Sequence, residues 1–155
     1  MKIGVFPGSF CPFTKGHENI VNKALPLFDE IIIAIGNNSE KKYVFPLAQR
    51  IQWIKDIYKN EPKIRVESYI GFTVDFCKSV EAKYIIRGIR GNMDFLKEHE
   101  LAKTNKMLCP EIETVFVLSS PGYEIVSSTL VRELWSNLKD YSQYLSYKLP
   151  IYTIC

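Results

Sequence analysis

Short apolar runs alternate along this chain with segments whose apolar residues recur at helical spacing. Ile31, Ile32 and Ile33 form an unbroken apolar run, which is typical of a strand covered on both faces. Leu47 and Ile54 share one face of a helix instead. The pattern predicts strands at residues 1–6, 30–35, 63–68, 84–86 and 113–118. It predicts helices at residues 16–28, 46–58, 73–81, 93–108 and 127–138, and a last short helix at residues 141–147.

The order of these elements predicts the architecture. Strands and helices alternate with short connections, which favours a parallel sheet with helices on both faces. We therefore predict a Rossmann-like α/β fold with a five-stranded sheet, and the length of 155 residues predicts a single domain. Ligands of such sheets lie beyond the carboxyl ends of the strands. Four polar stretches fall there, at residues 7–17, 36–42, 87–90 and 119–129.

Composition narrows the classes of partner and compartment. The 20 basic and 17 acidic residues give a net charge of +3, too mild to indicate nucleic acid or a membrane surface as the main partner. No apolar run reaches the roughly 18 residues of a membrane span, and we see no signal peptide, so we expect a cytoplasmic protein. The four cysteines form no CxxC pair and fit no zinc spacing, which predicts free, mostly buried thiols. They are Cys11, Cys77, Cys109 and Cys155.

The first polar stretch carries the most chemistry. Gly8 allows a ligand to approach the backbone closely, and Ser9 and Thr14 add hydroxyl groups. His17 lies near the start of a predicted helix, where its side chain and free backbone N–H groups can both point at an anion. The alternative is that His17 only caps the helix or pairs with a neighbour. The stretch is neither a Walker A loop nor a GxGxxG motif.

Two arginines stand where the fourth predicted strand ends. Arg87 and Arg90 follow a buried apolar run so closely that each needs a partner. The planar guanidinium fork suits a phosphate group. The alternative partner is a carboxylate, and Asp94 and Glu98 are the candidates for a salt bridge.

Two further stretches each allow two interpretations. Lys41 and Lys42 either form a solvated surface or place a lysine over a phosphate. Residues 127–129, Ser-Ser-Thr, either cap the following helix or offer a second phosphate site at its N-terminus. No cysteine, serine or lysine has a base partner arranged for covalent catalysis. Together the four stretches favour a polyphosphate ligand that is handled by positioning and charge stabilisation.

Several motifs in order resemble one family. Thr14 to His17, TKGH, matches the T/HxGH signature of the nucleotidyltransferase α/β superfamily. The longer strings PGSFCPFTKGH, IIRGIR, LAKTNKMLCPEIETVF and VSSTLVREL are similar to segments of bacterial phosphopantetheine adenylyltransferases. The resemblance runs in register from about residue 3 to about residue 135.

The resemblance implies transfer of the adenylyl group of ATP to 4′-phosphopantetheine, giving dephospho-coenzyme A and pyrophosphate, with Mg²⁺. By analogy, ATP would contact Ser9, Phe10, His17, Gly88, Ile89, Arg90, Glu98, Tyr123, Glu124, Ile125, Val126, Ser127, Ser128 and Thr129. Phosphopantetheine would contact Ser9, Lys41, Thr73 and Arg87. The ligands of the metal are not identified by the resemblance.

The implied mechanism is a direct in-line attack of a phosphopantetheine phosphate oxygen on the α-phosphorus of ATP, without a covalent intermediate. The resemblance assigns His17 to the transition state and makes Lys41 and Arg90 cationic clamps. Residues 127–129 would hold the leaving phosphates. It also implies a homohexamer and inhibition by coenzyme A.

The chain departs from the family pattern at three places. Cys11 replaces the usual Asp, and it is either a small residue tolerated in a packed turn or a reactive thiol. Thr73 stands where a larger apolar residue is usual, and the tail after Ser136 lacks a glycine-aspartate turn. Two other functions stay open. One is a sister nucleotidyltransferase with another phosphorylated acceptor, such as nicotinate mononucleotide, and the other is a non-catalytic nucleotide-binding sensor.

Overall fold

The computed structural model describes residues 1–153, so Cys155 and its predicted free thiol lie outside the described residues. The strands are β1 (Ile3–Gly8), β2 (Glu30–Gly36), β3 (Ile64–Tyr69), β4 (Tyr84–Ile89) and β5 (Glu113–Leu118). The helices are α1 (Lys15–Ala24), α2 (Leu47–Ile57), α3 (Thr73–Ser79), α4 (Asn92–Leu108) and α5 (Ser128–Ser136). All pairs are parallel, and the strand order is β3-β2-β1-β4-β5. The predicted α/β class and five-stranded parallel sheet are confirmed.

The neighbouring strands β1 and β4 are paired over only part of their lengths. β1 pairs with β4 only at Gly4–Tyr84 and Val5–Ile85. Beyond these pairs β1 continues beside β2, and β4 continues beside β5. The order of the strands reverses at this same boundary, which is where open α/β sheets place their ligands. A cleft therefore opens between the carboxyl ends of β1 and β4.

Several predicted boundaries were wrong, each for a local reason. β4 was predicted to stop at Ile86, but it runs on to Ile89 because its backbone stays paired with β5 whatever the polarity of its side chains. β1 includes Pro7, which a strand tolerates where it is paired on one side only. The predicted last helix at residues 141–147 is only one 3₁₀ turn, Ser142–Tyr144. The helix predicted at residues 16–28 ends at Ala24, where a 3₁₀ turn that contains Pro26 follows.

The sheet is covered by apolar side chains on both faces. Alternate residues of β2 point to opposite sides, so that Ile31 and Ile33 pack in one cluster and Ile32 in the other. The first cluster includes the buried face of α1, and the second includes α3. Cys11, Cys77 and Cys109 are buried and free, as predicted. Within residues 1–153, no helix combines the length and the apolar character that crossing a membrane requires.

Gly88 in β4 sets the distance between the sheet and α1, the helix that carries His17. A Cβ at position 88 would lie 2.8 Å from Cγ1 of the buried Ile20. We expect Gly88→Ala to lower the free energy of unfolding by about 1–3 kcal/mol, because α1 must move to make room. Gly91→Ala is the control, since a Cβ there would meet nothing within 4 Å. Equal losses in urea denaturation for both variants would contradict this account.

Candidate active site

The cleft between β1 and β4 is a cavity of about 350 Å³ at the carboxyl edge of the sheet. The four polar stretches do not all contribute to it. The predicted site residues that line it are Ser9, Phe10, His17, Arg87, Gly88, Arg90, Glu98, Val126, Ser127, Ser128 and Thr129. Three of the four stretches therefore meet in one cavity, as expected for residues that follow neighbouring parallel strands.

The other predicted residues lie away from the cavity wall. Lys41 is exposed on the loop after β2, and the Thr73 hydroxyl lies 2.7 Å from the Tyr69 hydroxyl at the start of α3. Ile89, the last residue of β4, is buried and does not line the cavity. Tyr123, Glu124 and Ile125 belong to the loop that leads to the cavity-lining Val126. The binding roles of all these residues stay predictions.

His17 takes part in capping α1 and also lines the cavity, so the capping interpretation is confirmed and the contact with an anion stays a prediction. Thr14 is the N-cap, and its backbone N–H donates to His17 Nδ1 at 2.9 Å. An N–H group can only donate, so Nδ1 is the acceptor and the neutral ring carries its proton on Nε2. Phe13 stacks on the ring at a centroid distance of 5.2 Å, and Phe10 meets it edge-on at 5.0 Å. The imidazole is therefore held in one orientation and one tautomer.

The surroundings of His17 keep it neutral. Burial lowers its pKa from 6.5 to about 3, and the positive charges of Arg90 and then Arg87 act in the same direction. At neutral pH the ring therefore offers an uncharged Nε2–H donor. It is not a general acid or base poised near pH 7.

This low pKa predicts a dependence of stability on pH. In the unfolded chain His17 regains its ordinary pKa of 6.5, so the unfolded state takes up a proton that the folded state refuses until pH about 3. The contribution of His17 to the free energy of unfolding is therefore complete above pH 6.5 and is lost progressively as the pH falls to about 3. Urea denaturation at pH 7.5 and pH 5 should show a larger loss for wild type than for His17→Gln. Equal losses would contradict the assignment.

Both arginines have the carboxylate partners that the salt-bridge alternative predicted, and their contacts with a phosphate stay a prediction. Arg87 donates from Nε and Nη2 to Glu98 at 2.6 and 2.7 Å, and from Nη1 to the Pro7 carbonyl at 2.9 Å. Arg90 Nε donates to Asp94 at 3.0 Å. The carboxylates thus hold two guanidinium groups at the cavity wall. An anionic ligand could replace the carboxylates as the partner of these groups.

The N-terminus of α5 forms a further wall. Ser127 caps the helix, its Oγ accepting from the Leu130 N–H at 3.1 Å, as the N-cap interpretation predicted. Ser128 Oγ donates to the Pro12 carbonyl at 2.7 Å and ties the helix to the turn after β1. The first N–H groups of a helix have no partner within it. At the cavity wall they suit the oxygens of a phosphate.

Cys11 lies in a packed turn. Its side chain is buried in an apolar cluster with Trp53, Val131 and Leu149, and its carbonyl accepts from Arg132 Nη1 at 2.7 Å. The tail residue Leu149 belongs to the same cluster, so two of the departures from the family pattern share one cluster. These contacts favour the interpretation of Cys11 as a small residue tolerated in a packed turn.

Sequence reasoning missed the residues that hold the turn after β1. Arg50 donates to the Ser9 carbonyl at 2.7 Å, and the Tyr147 hydroxyl donates to the Phe13 carbonyl. Arg132 holds the Cys11 carbonyl as described above. A charged residue between Leu47 and Ile54 on the apolar face of a predicted helix was a signal that could have found Arg50. Nothing in the local pattern marks Tyr147.

Comparisons with known proteins agree with this architecture. Residues 5–134 match the Cytidylyltransferase-like family. The chain is 52% identical over 134 residues to a protein of Christiangramia forsetii named phosphopantetheine adenylyltransferase, covering 86% of this chain and 88% of that one. A protein of Bacteroides fragilis with the same name is 43% identical over 145 residues, covering 94% and 96%.

Solved structures share the fold. A bifunctional NMN adenylyltransferase/ADP ribose pyrophosphatase from Francisella tularensis superposes with a TM-score of 0.71 at 22% identity. The match covers 93% of this chain and 44% of that longer one. This likeness concerns the fold alone, whereas the relatives named above match in sequence over most of both chains. By that match, the chain belongs to the phosphopantetheine adenylyltransferase family.

Proposed function

We propose that this chain transfers the adenylyl group of ATP to 4′-phosphopantetheine, giving dephospho-coenzyme A and pyrophosphate. The observation that carries the proposal is the neutral His17 on α1, which lines the cavity together with Arg87 and Arg90. A cavity that combines a fixed neutral donor with two guanidinium groups suits the oxygens around a phosphorus atom under attack.

The chemistry asks little of the protein beyond placement. The attacking phosphate oxygen is already an anion, so no side chain has to remove a proton from it. A bond forms from this oxygen to the α-phosphorus of ATP as the bond to the pyrophosphate oxygen breaks. His17 Nε2–H would donate to an oxygen on the α-phosphorus. Arg90 would offset the negative charge that grows on the oxygens of this phosphorus. The N-terminus of α5 would receive the leaving phosphates.

The acceptor would approach from the side of the β2 loop. Arg87 lines the cavity, and the exposed Lys41 stands on the loop after the neighbouring strand. Lys41 would have to swing toward the cavity to serve as a clamp. Its flexible four-carbon side chain is exposed and allows such a movement.

Magnesium would enter with the nucleotide. Among residues 1–153 no three His, Cys, Asp or Glu side chains are grouped closely enough to hold a metal ion. The two carboxylates that line the cavity, Asp94 and Glu98, are both paired with arginines. Mg²⁺ commonly keeps several waters and is bound through substrate phosphates. We therefore propose that Mg²⁺ is held mainly by the phosphate oxygens of ATP and only slightly by side chains of the protein.

One assay separates the three functions that the sequence left open. The protein is incubated with ATP and Mg²⁺, alone or with 4′-phosphopantetheine or nicotinate mononucleotide, and pyrophosphate release is followed. Release with phosphopantetheine only is the expected result. Release with nicotinate mononucleotide would support the sister enzyme, and ATP binding without release would support a sensor. Addition of a chelator should stop the release.

We further propose that the protein is a cytoplasmic homohexamer that coenzyme A inhibits by occupying the cavity. A row of exposed apolar side chains along and beside α4 supports burial against another copy. They are Met93, Phe95, Leu96, Leu101, Met107, Leu108 and Leu118. Light scattering on the eluted protein measures the assembly, and a monomer at micromolar concentration would rule it out. Coenzyme A added to the assay above should raise the apparent KM for ATP or phosphopantetheine.

A further inference from the structure

A buried arginine outside the cavity touches two of the segments that the proposed reaction needs. Arg50 lies in the first turns of α2 and is only 1% exposed. Its Nη1 donates to the Ser9 carbonyl at 2.7 Å, in the turn after β1. Its Nε donates to the Phe45 carbonyl at 3.0 Å, at the end of the loop after β2. One guanidinium group thus binds the backbone of both segments.

The same guanidinium also supports the interior of the second loop. It lies over the Tyr43 ring, 4.3 Å from the centroid. The Tyr43 hydroxyl accepts from the Asn38 N–H at 3.1 Å and faces the Gly36 carbonyl at 3.4 Å. The Lys41 N–H in turn donates to the Asn38 carbonyl at 3.1 Å. The loop from Gly36 to Phe45 is therefore folded around Tyr43, which rests on Arg50.

We propose that Arg50 is a positioning residue that fixes the Lys41 loop relative to the Ser9 turn. The proposal rests on the proposed function, in which Lys41 acts on the acceptor and the Ser9 turn lines the nucleotide cavity. Arg50 is not itself among the residues that line the cavity. It acts through the backbone carbonyls of Ser9 and Phe45 and through the Tyr43 ring.

The chemistry of the group fits this role better than a role in stability alone. Among the residues described here, Arg50 forms no salt bridge, so its charge is buried without a carboxylate partner. Taking a charge out of water carries a desolvation cost, so burial of this guanidinium is weak evidence for a role in stability. What an apolar residue cannot supply is a rigid fork that donates in two directions while its face lies on an aromatic ring. Lysine lacks the planar fork as well.

A double-mutant cycle tests the link, with kcat/KM for phosphopantetheine as the measured quantity. We expect Lys41→Ala to lower it about 100-fold in wild type, as the loss of one charge-stabilising group commonly does. Arg50→Met should lower it about 10- to 100-fold through misplacement. In the Arg50→Met background, Lys41→Ala should then cost less than about 10-fold, because the loop is already misplaced. Equal factors for Lys41→Ala in both backgrounds would overturn the proposal.

A matched control separates positioning from general loss of an arginine. Arg65 in β3 is half-exposed and pairs with Glu30 and Glu67. Arg65→Met should leave the factor for Lys41→Ala unchanged. Arg50→Lys keeps the charge and serves as the second variant if Arg50→Met folds poorly. It should show the same reduced factor, and an unreduced one would count against the proposal.

Hydrogen exchange tests the same link without activity. In Arg50→Met, amides of residues 9–13 and of residues 37–45 should both exchange faster, while those of α4 should not change. Faster exchange in only one of the two segments, or uniformly over the chain, would overturn the proposal. If wild type shows no transfer to any acceptor, the proposed function fails, and exchange alone still decides the role of Arg50.

Discussion

The His17→Ala variant is expected to lose about a thousandfold in kcat while it keeps its fold. Removing one preorganised donor to a developing oxyanion typically costs about 10²–10³ in kcat. His17 should stand at the upper end of this range, because its tautomer and orientation are fixed by the Thr14 N–H and by stacking on Phe13. Steady-state pyrophosphate release measures the loss.

Two controls accompany this variant. Lys15→Ala changes a half-buried residue on the same helix turn and should stay within about twofold of wild type, as substitutions away from the reacting atoms usually do. Circular dichroism should show an unchanged helix content for His17→Ala. An unchanged kcat in this variant would remove His17 from the mechanism.

The Arg90→Met variant is expected to lose about a hundredfold in kcat with a smaller change in KM for ATP. Its guanidinium would act mainly on charge that grows in the transition state, and such interactions affect kcat more than ground-state binding. Arg90→Lys should recover only part of the loss, because an ammonium group lacks the planar fork. Kinetics at varied ATP concentration measure both constants.

Asp94→Asn is the matched control for Arg90. It removes the carboxylate that Arg90 Nε donates to at 3.0 Å while leaving the guanidinium in place. If Arg90 acts as a cation on the ligand, Asp94→Asn should keep kcat within about tenfold of wild type, since a half-exposed pair contributes little by itself. A loss as large as that of Arg90→Met would show that the ion pair, and not the free cation, matters.

The sequence predicted the fold well because the strong signals were local. The unbroken isoleucines at positions 31–33 required a doubly covered strand, and the alternation of elements required a parallel sheet. The end of β4 was misplaced because pairing with β5 comes from a distant segment and leaves no mark on Arg87 or Gly88 themselves. The local pattern shows which secondary structure a residue favours, but it does not show the backbone hydrogen bonds that a distant strand provides.

The site followed the same division. His17, Arg87 and the Ser127 cap were predicted from their places after strands and before helices. The role of Arg50 was not predicted, because its partners are backbone carbonyls of other segments, which any residue type can offer. Lys41 was predicted beside the phosphates, yet the structure places it on an exposed loop. A long flexible side chain does not reveal its resting position through its neighbours in sequence.

The parting of β1 from β4 has a consequence for how tightly the cavity can hold an anion. Where β4 no longer pairs with β1, Arg87 Nη1 donates to the Pro7 carbonyl in place of a backbone N–H of β4. Its Nε and Nη2 donate to Glu98. An incoming phosphate must therefore displace an internal competitor. The net affinity for the phosphate is the difference in free energy between the Arg87–phosphate contact and the Arg87–Glu98 contact. Such a difference favours release and turnover of successive molecules over retention of one.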